Sequence, residues 1–113
     1  MTNEDKSYNG WTNYETWVVN LWLDGDEGSY RHLRAMAQEA WANAEADRTF
    51  TRLERATLDL MAALKDEHEE TQPEVTGVWA DLMGAALSEV NWHEIASNRM
   101  GEVDQSGEAE VQS

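Results

Sequence analysis

The side chains of this 113-residue chain that could do chemistry are mostly carboxylates: 23 Asp and Glu stand against 8 Lys and Arg, for a formal charge of -15. The densest group is Asp66-Glu67-His68-Glu69-Glu70, extended by Glu74. Carboxylates do acid–base catalysis where burial or a partner separates their pKa values. Glu15 and Glu94 are the only acids embedded in aromatic-rich segments, and both fit helix-capping positions, so no catalytic residue is assigned. Metal binding fares no better. His32, His68 and His93 are far apart, and His93-Glu94 lacks the second His of a His-Glu-x-x-His site. Asp24-Gly25-Asp26-Glu27-Gly28 is too short for a calcium loop and lacks its terminal bidentate Glu. With no Cys there is no thiolate zinc site, cysteine nucleophile or disulfide, and no glycine-rich loop cradles a phosphate. The sequence implies no cofactor and no metal.

What remains is surface chemistry. A net charge of -15 argues against direct nucleic-acid binding, whose affinity comes from Lys and Arg displacing counterions. The charge is also placed unevenly. Residues 1–27 sum to -5, residues 28–65 to +1 and residues 66–113 to -11. Like charges packed together oppose the compact state. Two readings explain them: a solvated face suited to solubility or high salt, or an imitation of nucleic acid aimed at a basic cleft. On the second reading Asp66, Glu67, Glu69, Glu70 and Glu74 form the patch that meets a partner, with Glu102 and Asp104 as extensions. Arg31, Arg34, Arg48, Arg52 and Arg55 either gather into a basic patch or pair with flanking acids.

Six Trp oppose the disorder that the charge suggests, because each can bury on the order of 150–250 Å². Core packing is the default for them. Trp17 and Trp22 lie five residues apart, too far round a helix for one narrow stripe, so Trp11 and Trp22 are candidate partner-binding aromatics.

These residues must be carried by helices, since apolar positions recur at helical spacing and strand-like alternation is absent. Thr12 and Glu15 have capping-box spacing and open a first helix that Asp24-Gly25-Asp26 ends. Asp26 or Ser29 caps a second helix over about 30–46, with Tyr30, Leu33, Ala37, Ala40, Trp41 and Ala44 on one face. Thr51 and Glu54 form another capping box before a third helix to Glu70, striped by Leu53, Ala56, Leu60 and Leu64. Pro73 stops it. Thr76 caps a fourth helix carrying Val78, Trp79, Leu82, Met83, Ala86 and Leu87. Asn91 and Glu94 cap a short fifth helix, stapled by Val90 and Ile95. The expected fold class is all-α: a compact bundle of four to five helices spanning 10–100, between a flexible N-terminus (1–9) and a disordered acidic C-terminal tail (101–113). No apolar run crosses a membrane and no secretory signal is visible, which predicts a cytoplasmic protein with no membrane partner.

Two segments together resemble a family of small acidic proteins borne by phages, plasmids and other mobile elements. They are Gly10-Trp11-Thr12-Asn13-Tyr14-Glu15-Thr16-Trp17, running on through Leu21-Trp22-Leu23-Asp24 and Asp26-Glu27-Gly28-Ser29-Tyr30, and Ala86-Leu87-Ser88-Glu89-Val90-Asn91-Trp92-His93-Glu94-Ile95-Ala96. Val18 and Asn20 depart from that pattern, which has Asn and a small residue there. The motifs mark membership and are silent on activity. What the resemblance implies is context: small acidic proteins of mobile elements often inhibit a host nuclease or a CRISPR or restriction effector, here through its basic cleft, while the residues themselves offer no enzyme-grade site. The alternative is a helical adaptor or homo-oligomeric module that pairs through the Trp-rich first helix, homodimer included, with acidity that is only environmental.

Overall fold

Asn9 and Gly10 open the fold at φ 49° and 89°. Two successive positive φ values are what a type I′ turn requires, and Asn-Gly is its preferred pair. The turn is closed by Tyr8 N–H to Trp11 O and Trp11 N–H to Tyr8 O, both 2.8 Å. Residues 7–103 are described by the computed structural model. They form helices α1 (Tyr14–Gly25), α2 (Glu27–Asn43), α3 (Arg52–Thr71), α4 (Val78–Ser88) and α5 (Trp92–Met100), an all-α bundle. Ordered structure therefore begins before residue 10. Residues 1–6, the rest of the expected flexible N-terminus, lie outside the described residues.

The core is made by three helices that use one spacing. Leu33, Ala37 and Trp41 on α2, Ala56, Leu60 and Leu64 on α3, and Trp92, Ala96 and Met100 on α5 all recur at i, i+4, i+8 and are buried. Rows at that spacing are the ridges that interdigitate when helices pack. Fully burying a Leu or Ile side chain contributes about 1.5–3 kcal/mol, and Leu33, Leu60, Leu64 and Ile95 are all buried. α3 packs most extensively on α5, then on α2.

Local chemistry sets the ends. The Thr51–Glu54 capping box forms in full. Asp26 is the N-cap of α2, accepting from Ser29 N–H, so the helix starts at Glu27 and not near Tyr30, and it ends at Asn43 instead of Ala46. Tyr30 and Leu53, expected on buried stripes, are exposed. The cap of α1 is Asn13, not Thr12. Gly77 at φ 66° precedes α4, with no side-chain cap from Thr76. Residues 101–103, expected to open a disordered tail, are instead part of the fold: Val103 packs on the core and Glu102 accepts from Arg99. Residues 104–113, Asp104 included, lie outside the described residues.

Candidate functional site

Polar residues cluster in two places, and their fates differ. The first is the seam between α1 and α5. Asn13 Oδ1 accepts from Thr16 N–H at 2.9 Å and from Thr16 Oγ1 at 2.6 Å. Thr16, fully buried, in turn accepts from Asn91 N–H at 2.8 Å. Asn13 Nδ2 donates to Glu89 O at 2.8 Å. Asn91 still caps α5 through Glu94 N–H, but the Glu94 carboxylate reaches Thr12 N–H at 3.0 Å instead of the cap's own amide. Further along, Arg99 Nη2 donates to Asn20 Oδ1 at 3.0 Å and is ion-paired with Asp24. Asn20 and Arg99 are buried, and Asn20 also donates to Asp24. Asp24 is thus an ion-pair partner and Asp26 a helix cap. Glu15 caps nothing here.

The second cluster is the end of α3 and the loop after it. At 100° per residue, Asp59, Asp66, Glu69 and Glu70 fall on one outward fan of α3, and all four are exposed. Glu74 is exposed in the loop. Glu67 is turned aside towards α2, where its carboxylate lies 2.7 Å from His32 Nε2. Among the described residues no ion pair holds Asp59, Asp66, Glu69, Glu70 or Glu74. Of the predicted acidic patch, then, Asp66, Glu69 and Glu70 share a face, Glu74 follows them, and Glu67 stands at the edge.

Residues 4–105 match a protein family described as a family of unknown function, DUF7249. The chain belongs to that family. No curated protein and no solved structure matches it. The matched span takes in both polar clusters.

The aromatics divide similarly. Trp41 and Trp92 are buried, and Trp11 is half-buried against the core, which removes it from the exposed candidates. Trp17 is half-buried among Tyr8 and Tyr14, with ring centroids 4.8 and 5.6 Å away. Trp22 is 72% exposed, on the rim of a groove of about 470 Å³ whose apolar lining comes from Val18, Val19, Trp22 and Leu23. A second groove, containing His32 and Glu67, shares Leu23, Ser29 and His68 with the first, so Trp22 and Glu67 stand at one end of the molecule. Sequence reasoning missed Trp79, placed on a core-facing stripe but 66% exposed together with Val78 and Leu82. No residue of α4 is buried.

Basic side chains do not gather. Arg31 pairs with Glu27, and Arg55 with Asp47. Arg52 lies over the Trp41 ring at 4.0 Å and donates to Trp41 O. The carboxyl of Asp47 is held below the usual carboxylate range by hydrogen bonds from the backbone N–H of Phe50 and Thr49, with help from Arg55. His68 is spoken for by Leu64 O at 2.9 Å and by the Trp92 ring at 5.0 Å. Among the described residues no group of His, Asp and Glu is arranged to hold a metal, and no helix is long and apolar enough to cross a membrane.

Proposed function

We propose that this chain is an acidic binding protein that lays the outer face of α3 on the basic, nucleic-acid-binding surface of a partner protein and so competes with nucleic acid there. The observation that carries this reading is where the carboxylates stand. The C-terminus of a helix bears partial negative charge, and an acid there typically costs 0.3–1 kcal/mol. Asp66, Glu69 and Glu70 occupy the last two turns of α3 without a basic partner and close enough to repel one another. Other acids are placed favourably or are paired: Glu15, Glu27 and Glu54 sit in first turns, and Asp24, in the last turn of α1, is ion-paired with Arg99. Solubility is served by charge anywhere on the surface, so it does not account for acids set where they oppose folding.

Magnitudes favour one strand of phosphates as the thing imitated. At about 1.5 Å of rise per residue, Asp59, Asp66, Glu69 and Glu70 span ~16 Å, at a mean interval of ~5.5 Å and closest together at the C-terminal end. A nucleic-acid strand carries a charge every ~3.4 Å and a duplex one per ~1.7 Å. The row is thus nearer in charge density to a single strand than to a duplex, and matches a strand best over Asp66 to Glu70. The resemblance to mobile-element proteins supports a host nuclease, or a CRISPR or restriction effector, as the inhibited partner. This is a binding role, with no reaction assigned to the chain.

Immobilised on a resin and exposed to bacterial lysate, the chain should capture basic nucleic-acid-binding proteins that excess single-stranded DNA or high salt releases. The Asp66→Lys/Glu70→Lys variant should retain none of them. Captured proteins that stay bound under excess DNA would overturn the competition.

A further inference from the structure

Beyond that reading, we infer that α4 is a dimerisation arm, which docks in the α1-side groove of a second copy while the second copy's α4 docks in the first. Both halves of the contact are present on one chain and unsatisfied. Val78, Trp79 and Leu82 are 62%, 66% and 55% exposed. At helical spacing they form a single ridge that Ala86 continues one turn further on. On the opposite edge of the same helix, Leu87 in its last turn is partly buried against the core. The groove beside Trp22 has an apolar lining of Val18, Val19, Trp22 and Leu23, and a volume of about 470 Å³, enough for several large side chains.

Charge selects the second copy's route of approach. Two chains of -15 each repel, yet from Val75 to Ser88 the only charged residue is Asp81. The groove that receives this stretch carries a single acid, Asp26, with His68 also in its lining, so the contact brings few carboxylates together. Area then selects the reciprocal arrangement. An 11-residue helix is ~16 Å long, and seated in a groove it covers on the order of 300–400 Å² of each surface. One such contact buries roughly 600–800 Å² in total, the scale of a packing contact. Two, related by a two-fold axis, bury roughly 1,200–1,600 Å², within the range of specific dimers. Face-to-face pairing of the α4 ridges alone stays at the smaller figure and leaves Trp22 and its groove open.

The test needs no partner, so it stands apart from the competition with nucleic acid. Sedimentation equilibrium of the full chain at micromolar concentration should give twice the monomer mass. Trp79→Ala and Trp22→Ala should each return the monomer mass with an unchanged helical circular-dichroism spectrum, since both side chains are exposed. The native chain has no Cys. A Val18→Cys/Leu82→Cys variant should therefore oxidise to a disulfide-linked dimer joined between positions 18 and 82, which peptide mapping identifies. A native chain that sediments as a monomer overturns the inference. So does a dimer in which Leu82→Cys alone links to itself in high yield, because that places α4 against α4.

Discussion

The α1–α5 seam and the α3–α4 end hold the chain's most unusual polar residues, and they treat them in opposite ways. At the seam, Asn13, Thr16, Asn20, Asn91, Glu94 and Arg99 satisfy one another across the bundle, and the groups that matter most are buried. At the α3–α4 end, acids and large apolar side chains stand exposed, and the acids lie where the helix dipole disfavours them. The segments from Gly10 to Tyr30 and from Ala86 to Ala96 run through the seam, and folding accounts for Thr12, Asn13, Thr16, Asn20, Asn91 and Glu94. What folding leaves unexplained lies between those segments, at Asp66, Glu69, Glu70 and Trp79. The lesson is that a distinctive motif can be a structural lock, while a plainer stretch holds the exposed acids and aromatics.

Substitutions on the two sides should separate accordingly. The largest loss of stability is expected for Arg99→Ala, about 2–4 kcal/mol in denaturant unfolding, because Asn20 is then left buried without its donor and Asp24 without its counter-charge. A loss under ~1 kcal/mol would mean that the seam is incidental. Thr16→Val keeps the volume but strands the amide of Asn91, and should cost about 1–3 kcal/mol by the same measurement. On the other side the sign reverses. Asp66→Lys/Glu70→Lys should raise stability by roughly 0.5–1.5 kcal/mol, by relieving repulsion and satisfying the C-terminal carbonyls of α3, while partner binding is lost. If stability fell, the acids would be supporting the fold, and the contrast between the two regions would collapse.

The smallest effect belongs to Asp47, which folding holds ionised through the amides of Phe50 and Thr49. Its pKa is lower in the folded chain, so its contribution is present above the unfolded value of about 3.9 and is lost as pH falls through the folded one. Asp47→Asn should therefore lose a little stability at neutral pH, converge with the native chain as pH falls below ~4, and so show a flatter acid limb. An identical acid limb in the variant would contradict this.

How much of the fold and the site is legible in the sequence depends on whether neighbours or distant segments decide the matter. The Thr51–Glu54 capping box is local, and it forms as its spacing predicts. The Thr12–Glu15 box has the same spacing and does not form. Asn13 one residue later caps α1, and Thr12 N–H is taken by Glu94 from the far end of the chain. The Asn9-Gly10 turn is local too, signalled by two adjacent residues, and the expectation of a flexible N-terminus up to residue 9 overlooks it. The stripe of α4 is legible as periodicity, yet periodicity shows only that a face is apolar. Whether that face meets its own core is a tertiary question, and here Val78, Trp79 and Leu82 do not. The acidic cluster is visible as composition, while the exclusion of Glu67 by His32 and the alignment of Asp59 with Asp66 and Glu70 need the helix and its neighbour in place.

The central claim, that the outer face of α3 stands in for a nucleic-acid strand, is tested most directly by salt. Once a captured partner is purified, its affinity can be measured over a range of salt concentrations for the native chain and for Asp66→Lys/Glu70→Lys. The account predicts a steep fall in affinity with salt for the native chain, and weak binding with a shallow slope for the variant. Equal slopes for the two chains would contradict it.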